Sequence, residues 1–204
     1  MAQGRTPSGG WAYVRISGHD DNPIGFVTAA ALLALREAQG AGANVPAEML
    51  SKAAVVIERL ANPNGSFGYM WASGIGEDKK QAEASLRSPL YAYALMREKR
   101  AEGTTLRKAM DVYLKHHEHT RKEREKGLCH TGQEGTASYY LLFGYHFAAE
   151  ALAFLPEKDR APFRKALVED VLSLHCADGS FTDNAMIGRT YGAAMAVQTL
   201  RLLE

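Results

Sequence analysis

The sequence predicts an all-α protein, and its composition, its hydrophobic periodicity and an internal repeat all lead to that prediction. The chain has 204 residues, of which 46% are hydrophobic and 23% are charged, the balance of an ordinary globular domain. Apolar residues recur at helical spacing in several segments. A turn of glycine followed by an aromatic residue recurs between these segments. We therefore expect one helical repeat domain over residues 1–204.

The recurring turn gives the chain a period of about 56 residues. Its clear copies end at Trp11, Phe67 and Phe181, and the first two are 56 positions apart. The interval from Phe67 to Phe181 is 114 positions, about twice as long, so we expect a degenerate copy of the turn near His130. A period of this length fits one helical hairpin with two loops.

Two kinds of helix are expected to alternate between the turns. Segments after each turn are apolar on nearly all sides and are expected in an inner, buried layer. Segments before each turn keep one apolar stripe and are expected outside, with the other face in water. The inner segments are 24–39, 81–99, 136–155 and 185–203, and the outer segments are 46–61, 104–119 and 160–175.

Glycine and proline mark several boundaries of these segments. Gly40 follows the first inner helix as a stop signal, and Pro46 is placed for the first turn of the next helix. Pro156 ends the third inner helix, whereas Pro89 falls inside the second and should kink or restart it. About seven antiparallel helices in inner and outer layers predict a partial α/α toroid.

Charge and hydropathy exclude several kinds of partner. The chain has 24 Lys and Arg against 23 Asp and Glu, so it lacks a general attraction for nucleic acid. Segment 137–155 approaches the length of a membrane span, but Ser138, His146 and Glu150 interrupt it. The first residues lack the apolar stretch of a signal peptide. We expect a cytoplasmic protein, or a piece of a longer one, with no nucleic-acid partner and no transmembrane segment.

The turns and the helices after them resemble the repeats of terpenoid cyclases and protein prenyltransferases. The family usually has Gln four positions before the glycine and Trp after it; this chain has Ala61 and His175, with Phe67 and Phe181. The resemblance implies a toroid whose aromatic-lined cavity binds or transforms an isoprenoid or another apolar substrate. It rests on segments 21–35, 62–69, 176–181 and 191–200, and covers essentially the whole chain.

Aromatic residues are concentrated at the turns and on the expected inner helices. In terpenoid cyclases such rings line the cavity and stabilise carbocations, so the resemblance implies substrate contact. The alternative is that individual rings pack between the two layers. The expected substrate-binding residues are Trp11, Tyr13, Phe67, Tyr69, Trp71, Tyr139, Tyr140, Phe181 and Tyr191.

Four polar residues are candidates for catalysis. The Asp-rich acid motif of squalene-cyclising relatives is absent, and the nearest acids, Asp20 and Asp21, could instead cap the helix that follows them. His146 and Glu150 share a helix face, either as an acid–base couple or as a structural hydrogen bond. His130 lies in the degenerate turn. The catalytic candidates are therefore Asp20, Asp21, His130 and His146.

Cysteine and histidine residues raise the question of zinc. Zinc-dependent relatives take ligands from different repeats, and the alternative is a small buried thiol beside a loop histidine. His116, His117 and His119 form no obvious tetrahedral set, so a solvated helix end is expected there. Convergence of the two remaining pairs on zinc is left open, and we expect no metal or other cofactor. These pairs are Cys129–His130 and His175–Cys176.

The repeat pattern leaves two functional classes open. The first is an enzyme or binding protein for an isoprenoid, and the second is a noncatalytic helical-repeat scaffold that binds a protein or lipid on its concave face. The first copy lacks the outer helix that should precede Gly10 and Trp11. Because an open end would expose apolar helix sides, we expect a homo-oligomer, a missing N-terminal half or a partner subunit.

Overall fold

A computed structural model describes residues 4–13, 21–70, 81–123, 140–184 and 187–204. These parts of the chain contain eight α-helices and no β-sheet, so the all-α class is confirmed for them. No helix within the described ranges is long and apolar enough to cross a membrane. The helices are α1 (Gly25–Gly40), α2 (Ala47–Glu58), α3 (Gln81–Ser85), α4 (Ser88–Arg97), α5 (Gly103–Glu123), α6 (Leu141–Leu152), α7 (Glu157–Leu172) and α8 (Arg189–Leu203).

The second expected inner helix is two helices in the structure. α3 ends at Ser85, and α4 begins at Ser88 with Pro89 in its first turn. Proline is favoured at this position because the N–H that it lacks would have no partner within the helix. The predicted restart at Pro89 is confirmed, and it explains why the described helices number eight rather than seven.

The last helix begins later than expected, at Arg189. Gly188, just before it, has a φ of +89°, a conformation that glycine adopts without strain, and the helix begins at the next residue. Within α8, a Cβ on Gly192 would lie 2.0 Å from the carbonyl oxygen of Phe181. Glycine therefore lets α8 approach the preceding turn closely.

The helices form an inner series and an outer set. In the inner series, α1 packs on α4, α4 on α6, and α6 on α8, while α2, α5 and α7 pack against their sides. α4 is buried from Ser88 to Leu95, whereas α7 buries the predicted stripe of Phe163, Leu167 and Val171. The curvature of this series into a toroid stays a prediction.

α8 departs from the burial expected of an inner helix. Its Ala196 and Leu203 are buried, but Val197 is 50% exposed and Leu202 is 45% exposed. α8 therefore presents apolar side chains to solvent on both flanks of its buried side. The predicted self-association, or association with a partner subunit, stays a prediction.

The clear copies of the recurring turn have the same backbone geometry. Short antiparallel bridges pair Arg5 with Trp11, Ala61 with Phe67 and His175 with Phe181. The glycine of each turn has a positive φ, and its N–H donates to the carbonyl three residues earlier at 3.0 to 3.1 Å. The copy expected near His130 lies outside the described residues.

Hydroxyl groups on inner helices fix two of these turns. Thr28 Oγ1 accepts a hydrogen bond from the Trp11 N–H at 2.9 Å, and Ser88 Oγ accepts one from the Phe67 N–H at 3.2 Å. Each hydroxyl also donates to the backbone carbonyl four residues earlier, that of Ile24 for Thr28 and that of Ala84 for Ser88. The turns are thereby held at the N-terminal ends of α1 and α4, which positions their aromatic residues.

Candidate functional site

Four aromatic rings surround the half-buried ring of Phe26, near the start of α1. The ring centroids of Tyr13, Tyr69, Tyr140 and Phe143 lie 6.0, 5.7, 5.8 and 6.1 Å from that of Phe26. The hydroxyls of Tyr13 and Tyr69 are hydrogen-bonded at 3.0 Å. We call these five residues the aromatic cluster. It joins rings that come from distant parts of the chain and meet at the N-terminal ends of α1 and α6.

The aromatic cluster is only partly covered by protein. Tyr13 is 57% exposed, Phe26, Tyr69 and Phe143 are half-buried, and Tyr140 is buried. Sequence reasoning selected the three tyrosines for substrate contact but missed Phe26 as the ring at their centre. Phe26 lies in an apolar segment whose composition is typical of a buried helix. Only its helical spacing from Glu37, on the same side of α1, could have indicated its position.

The other aromatic residues predicted to bind substrate lie in several places. Trp11 and Phe67 are buried in the hydrophobic core, in agreement with the alternative that such rings pack between the helices. Phe181 packs against His175, with ring centroids 5.2 Å apart. Tyr191 is half-buried, and burial, with a smaller effect of the Asp183 charge, raises its pKa to about 12. Trp71 and Tyr139 lie outside the described residues.

A buried ion pair lies beside the aromatic cluster. Arg87 is 3% exposed and binds Glu83 through two hydrogen bonds of 2.6 and 2.9 Å. Its guanidinium carbon lies 5.4 Å from the ring centroid of Tyr69, a cation–π distance. Burial alone lowers the pKa of Arg87, but Tyr140 and the bond to Glu83 outweigh it and raise the pKa overall. The guanidinium is therefore a permanent charge, already neutralised by Glu83.

One side of α6 continues from the aromatic cluster. Phe143, His146, Phe147 and Glu150 follow one another at helical spacing on this side. The ring of Phe147 lies 4.9 Å from that of Phe143 and 5.4 Å from that of His146. His146 Nε2 is 3.5 Å from Glu150 Oε1, so the two side chains lie together as their spacing indicated.

A polar group lies at the other end of this side of α6. Arg97 of α4 donates to the Tyr93 hydroxyl at 3.0 Å and to Glu37 Oε1 of α1 at 2.6 Å. Burial and then the negative charge of Glu150 raise the pKa of Tyr93. Side chains from α1, α4 and α6 thus meet at this end. We call Glu37, Tyr93, Arg97, His146 and Glu150 the polar cluster.

The aromatic and polar clusters are the two ends of one strip along the inner helices. Phe26 and Glu37 lie on the same side of α1, separated by about 16 Å at the helical rise per residue. Ala30 and Leu33 lie between them on that side. The strip is therefore apolar and aromatic over most of its length and polar at one end.

Comparisons with known proteins give no indication of the function. No protein-family model, curated protein sequence or solved structure matches the chain. The resemblance to terpenoid cyclases and protein prenyltransferases therefore rests on the sequence motifs alone.

The remaining catalytic candidates are not brought to the strip by any described contact. Asp21 is exposed and accepts a hydrogen bond from the Ser8 N–H at 2.8 Å, which ties it to the first turn. Asp20 and His130 lie outside the described residues. Their catalytic roles stay predictions.

The proposed zinc ligands are only partly described. His175 is exposed, Cys176 is half-buried with a free thiol, and Cys129 and His130 lie outside the described residues. Within the described ranges, no three side chains of His, Cys, Asp or Glu are placed to hold a metal ion. Convergence of the two pairs on zinc stays an open prediction.

A buried polar network between α5 and α7 was not predicted. Asp170, fully buried, accepts a hydrogen bond from the Tyr113 hydroxyl at 2.6 Å and lies 3.2 Å from His117 Nδ1. Arg121 approaches the same carboxylate at 3.6 Å. His117 therefore points between the helices, whereas the sequence predicted a solvated helix end for it. Its distant partner Asp170 gives no local sequence signal.

Proposed function

We propose that this protein binds an isoprenoid, or a similarly elongated apolar molecule, along the strip of the inner helices. The observation that carries the proposal is the convergence of four rings on half-buried Phe26. Rings that stay partly exposed offer apolar surface that a ligand can cover, at roughly 25 cal/mol per Å² removed from water. An elongated ligand would follow the strip from Phe26 toward Glu37.

The resemblance to terpenoid cyclases supports the same ligand class. In those enzymes aromatic side chains line the cavity, and here Tyr13, Tyr69 and Tyr140 lie in the aromatic cluster. The proposal places the strip on the cavity side of a partial toroid. The helices on the opposite side would then form the outer wall.

A catalytic form of the proposal assigns proton transfer to His146 and Glu150. Imidazole and carboxylate groups can both act as general acids or bases, and these two lie together at the edge of the apolar part of the strip. The alternative is a noncatalytic scaffold in which the same pair is structural. Incubation of the protein and its His146→Ala variant with the ligand separates the two, because only an enzyme yields a product that the variant fails to form.

Binding of farnesol, measured by isothermal titration calorimetry, tests the proposal. Phe26→Ala removes the central ring and should weaken binding about tenfold, which corresponds to about 1.4 kcal/mol. Phe26→Leu should have a smaller effect because it keeps an apolar side chain. Leu172→Ala is the matched control, since Leu172 is an exposed apolar residue on the outer helix α7.

Circular dichroism and thermal unfolding establish that each variant is folded before binding is compared. Failure of the unmodified protein to bind farnesol would contradict the proposal. So would equal affinities of folded Phe26→Ala and unmodified protein, because the central ring would then make no contact with the ligand.

A further inference from the structure

We infer that the polar cluster recognises an uncharged hydroxyl group, so that the preferred ligand is a prenyl alcohol rather than a prenyl diphosphate. This inference rests on the proposed function, because it concerns the polar end of the same ligand. It follows from the position, the charge and the hydrogen-bonding capacity of the polar cluster.

The position of the polar cluster suits the end group of an elongated ligand. It lies about 16 Å along α1 from Phe26, on the same side of the helix. The positions between them hold half-buried Ala30 and buried Leu33, neither of which carries a polar side chain. A chain that covers the rings at one end would therefore bring its other end to Tyr93 and Glu150.

The charges at this end disfavour an anion. The polar cluster contains two carboxylates, those of Glu37 and Glu150, but one guanidinium, that of Arg97. Arg97 already donates to Glu37 and to Tyr93. A diphosphate would therefore meet a cation whose charge is already balanced, beside the carboxylate of Glu150, which repels it.

The neighbouring guanidinium group does not change this balance. Arg36 of α1 is ion-paired with Glu98 at the end of α4, and the second of their hydrogen bonds, from Nη2 to Oε2, measures 2.6 Å. At the opposite end of the strip, Arg87 is held by both oxygens of Glu83. Each of these cations already has its carboxylate.

The hydrogen-bonding groups of the polar cluster suit a hydroxyl. Tyr93 accepts a hydrogen bond from Arg97 and directs its own proton to Glu150; burial and the negative charge of Glu150 raise the pKa of Tyr93, so that proton stays in place. Glu150 is about one-third exposed, and a carboxylate can accept several hydrogen bonds. An alcohol that enters between Tyr93 and Glu150 can donate to the Glu150 carboxylate while its oxygen accepts from Tyr93, so it replaces the direct contact of these two side chains.

Three ligands with the same chain test the inference on the full protein: farnesol, farnesyl diphosphate and the hydrocarbon farnesene. We expect farnesol to bind at least about tenfold more tightly than each of the others in calorimetric titrations. Glu150→Gln removes the charge and keeps a hydrogen-bond acceptor. In this variant the preference for farnesol over the diphosphate should fall to about threefold or less.

Glu102→Gln is the matched control, because Glu102 is an exposed carboxylate before α5, and it should leave the preference unchanged. Equal or tighter binding of the diphosphate would overturn the inference, as would an unchanged preference in Glu150→Gln. Equal binding of all three ligands would overturn the inference but keep the proposed function. Binding of none of them would contradict the proposed function as well.

Discussion

Asp170 shows how burial and hydrogen bonding oppose each other at a single residue. Its carboxylate is fully buried between α5 and α7, where Tyr113, His117 and Arg121 surround it. Burial raises its pKa, and these three neighbours only partly offset that effect. The folded protein therefore binds the Asp170 proton more tightly than the unfolded chain does.

This pKa shift predicts a pH dependence of stability with a defined sign. As pH rises above about 4, the ordinary pKa of Asp, the unfolded chain loses the proton first, so the free energy of unfolding falls. Asp170→Asn cannot ionise and should lack this fall. Urea unfolding of both proteins from about pH 4 upward measures the difference.

The stability of the wild type relative to Asp170→Asn should decrease with pH over this range and level off once Asp170 is ionised in both states. A relative stability that stays constant or increases would show that the three neighbours, rather than burial, dominate the pKa of Asp170.

Residue types and local spacing revealed some members of the candidate site but not all. Tyr13, Tyr69 and Tyr140 stand out in the sequence because they flank the turns and helix starts. Phe26 does not, since its central position depends on how α1 and α6 both pack on α4. Contacts between residues far apart in sequence, such as His117 with Asp170, give no local pattern that could be recognised.

Among the structural elements, the copies of the recurring turn share one backbone conformation but differ in what packs against them. Gly65 and Gly179 have φ values of +91° and +84°. A Cβ at Gly65 would lie 2.7 to 2.8 Å from the backbone carbonyl of Lys108 on α5, whereas one at Gly179 would meet nothing within 4 Å. The turn of Gly65 is therefore packed against α5, whereas the turn of Gly179 has open space at the same position.

Alanine substitutions at these two glycines should therefore differ in cost. Gly179→Ala should lower the free energy of unfolding by about 1 to 2 kcal/mol through the left-handed conformation alone. Gly65→Ala should cost at least about 1 kcal/mol more, because the helix backbone has to shift. Urea unfolding curves measure both values.

Gly40→Ala serves as the control, since Gly40 ends α1 without a positive φ and has open space around it. It should be neutral or stabilise the protein by up to about 1 kcal/mol. Equal losses for Gly65→Ala and Gly179→Ala would contradict the packing difference between the two turns.

The helical elements were predictable because their signals are local. The apolar stripe of α7 and the proline restart of α4 both appear in the sequence and in the structure. The exposure of α8 was not predictable in the same way, because its apolar composition matches that of the buried inner helices. Whether such a helix is covered depends on its neighbours, and among the described helices α8 packs mainly against α6 and α7.

At the scale of the whole molecule, the inner helices align their N-terminal ends and their C-terminal ends. Phe26 meets Phe143 at one end, and Glu37 meets Arg97 at the other. This alignment turns three separate helix faces into one strip with an aromatic and a polar end. The sequence predicted antiparallel helices in an inner and an outer layer, whereas the strip depends on how the inner helices pack.

The central claim is that an elongated apolar ligand lies along this strip. Photoaffinity labelling with a diazirine-bearing farnesol analogue, followed by peptide mass spectrometry, reports directly where the ligand binds. We expect adducts in peptides from α1 and α6, reduced by excess farnesol and by Phe26→Ala. Adducts confined to the exposed apolar residues of α7 and α8, such as Leu172 and Val197, would contradict it.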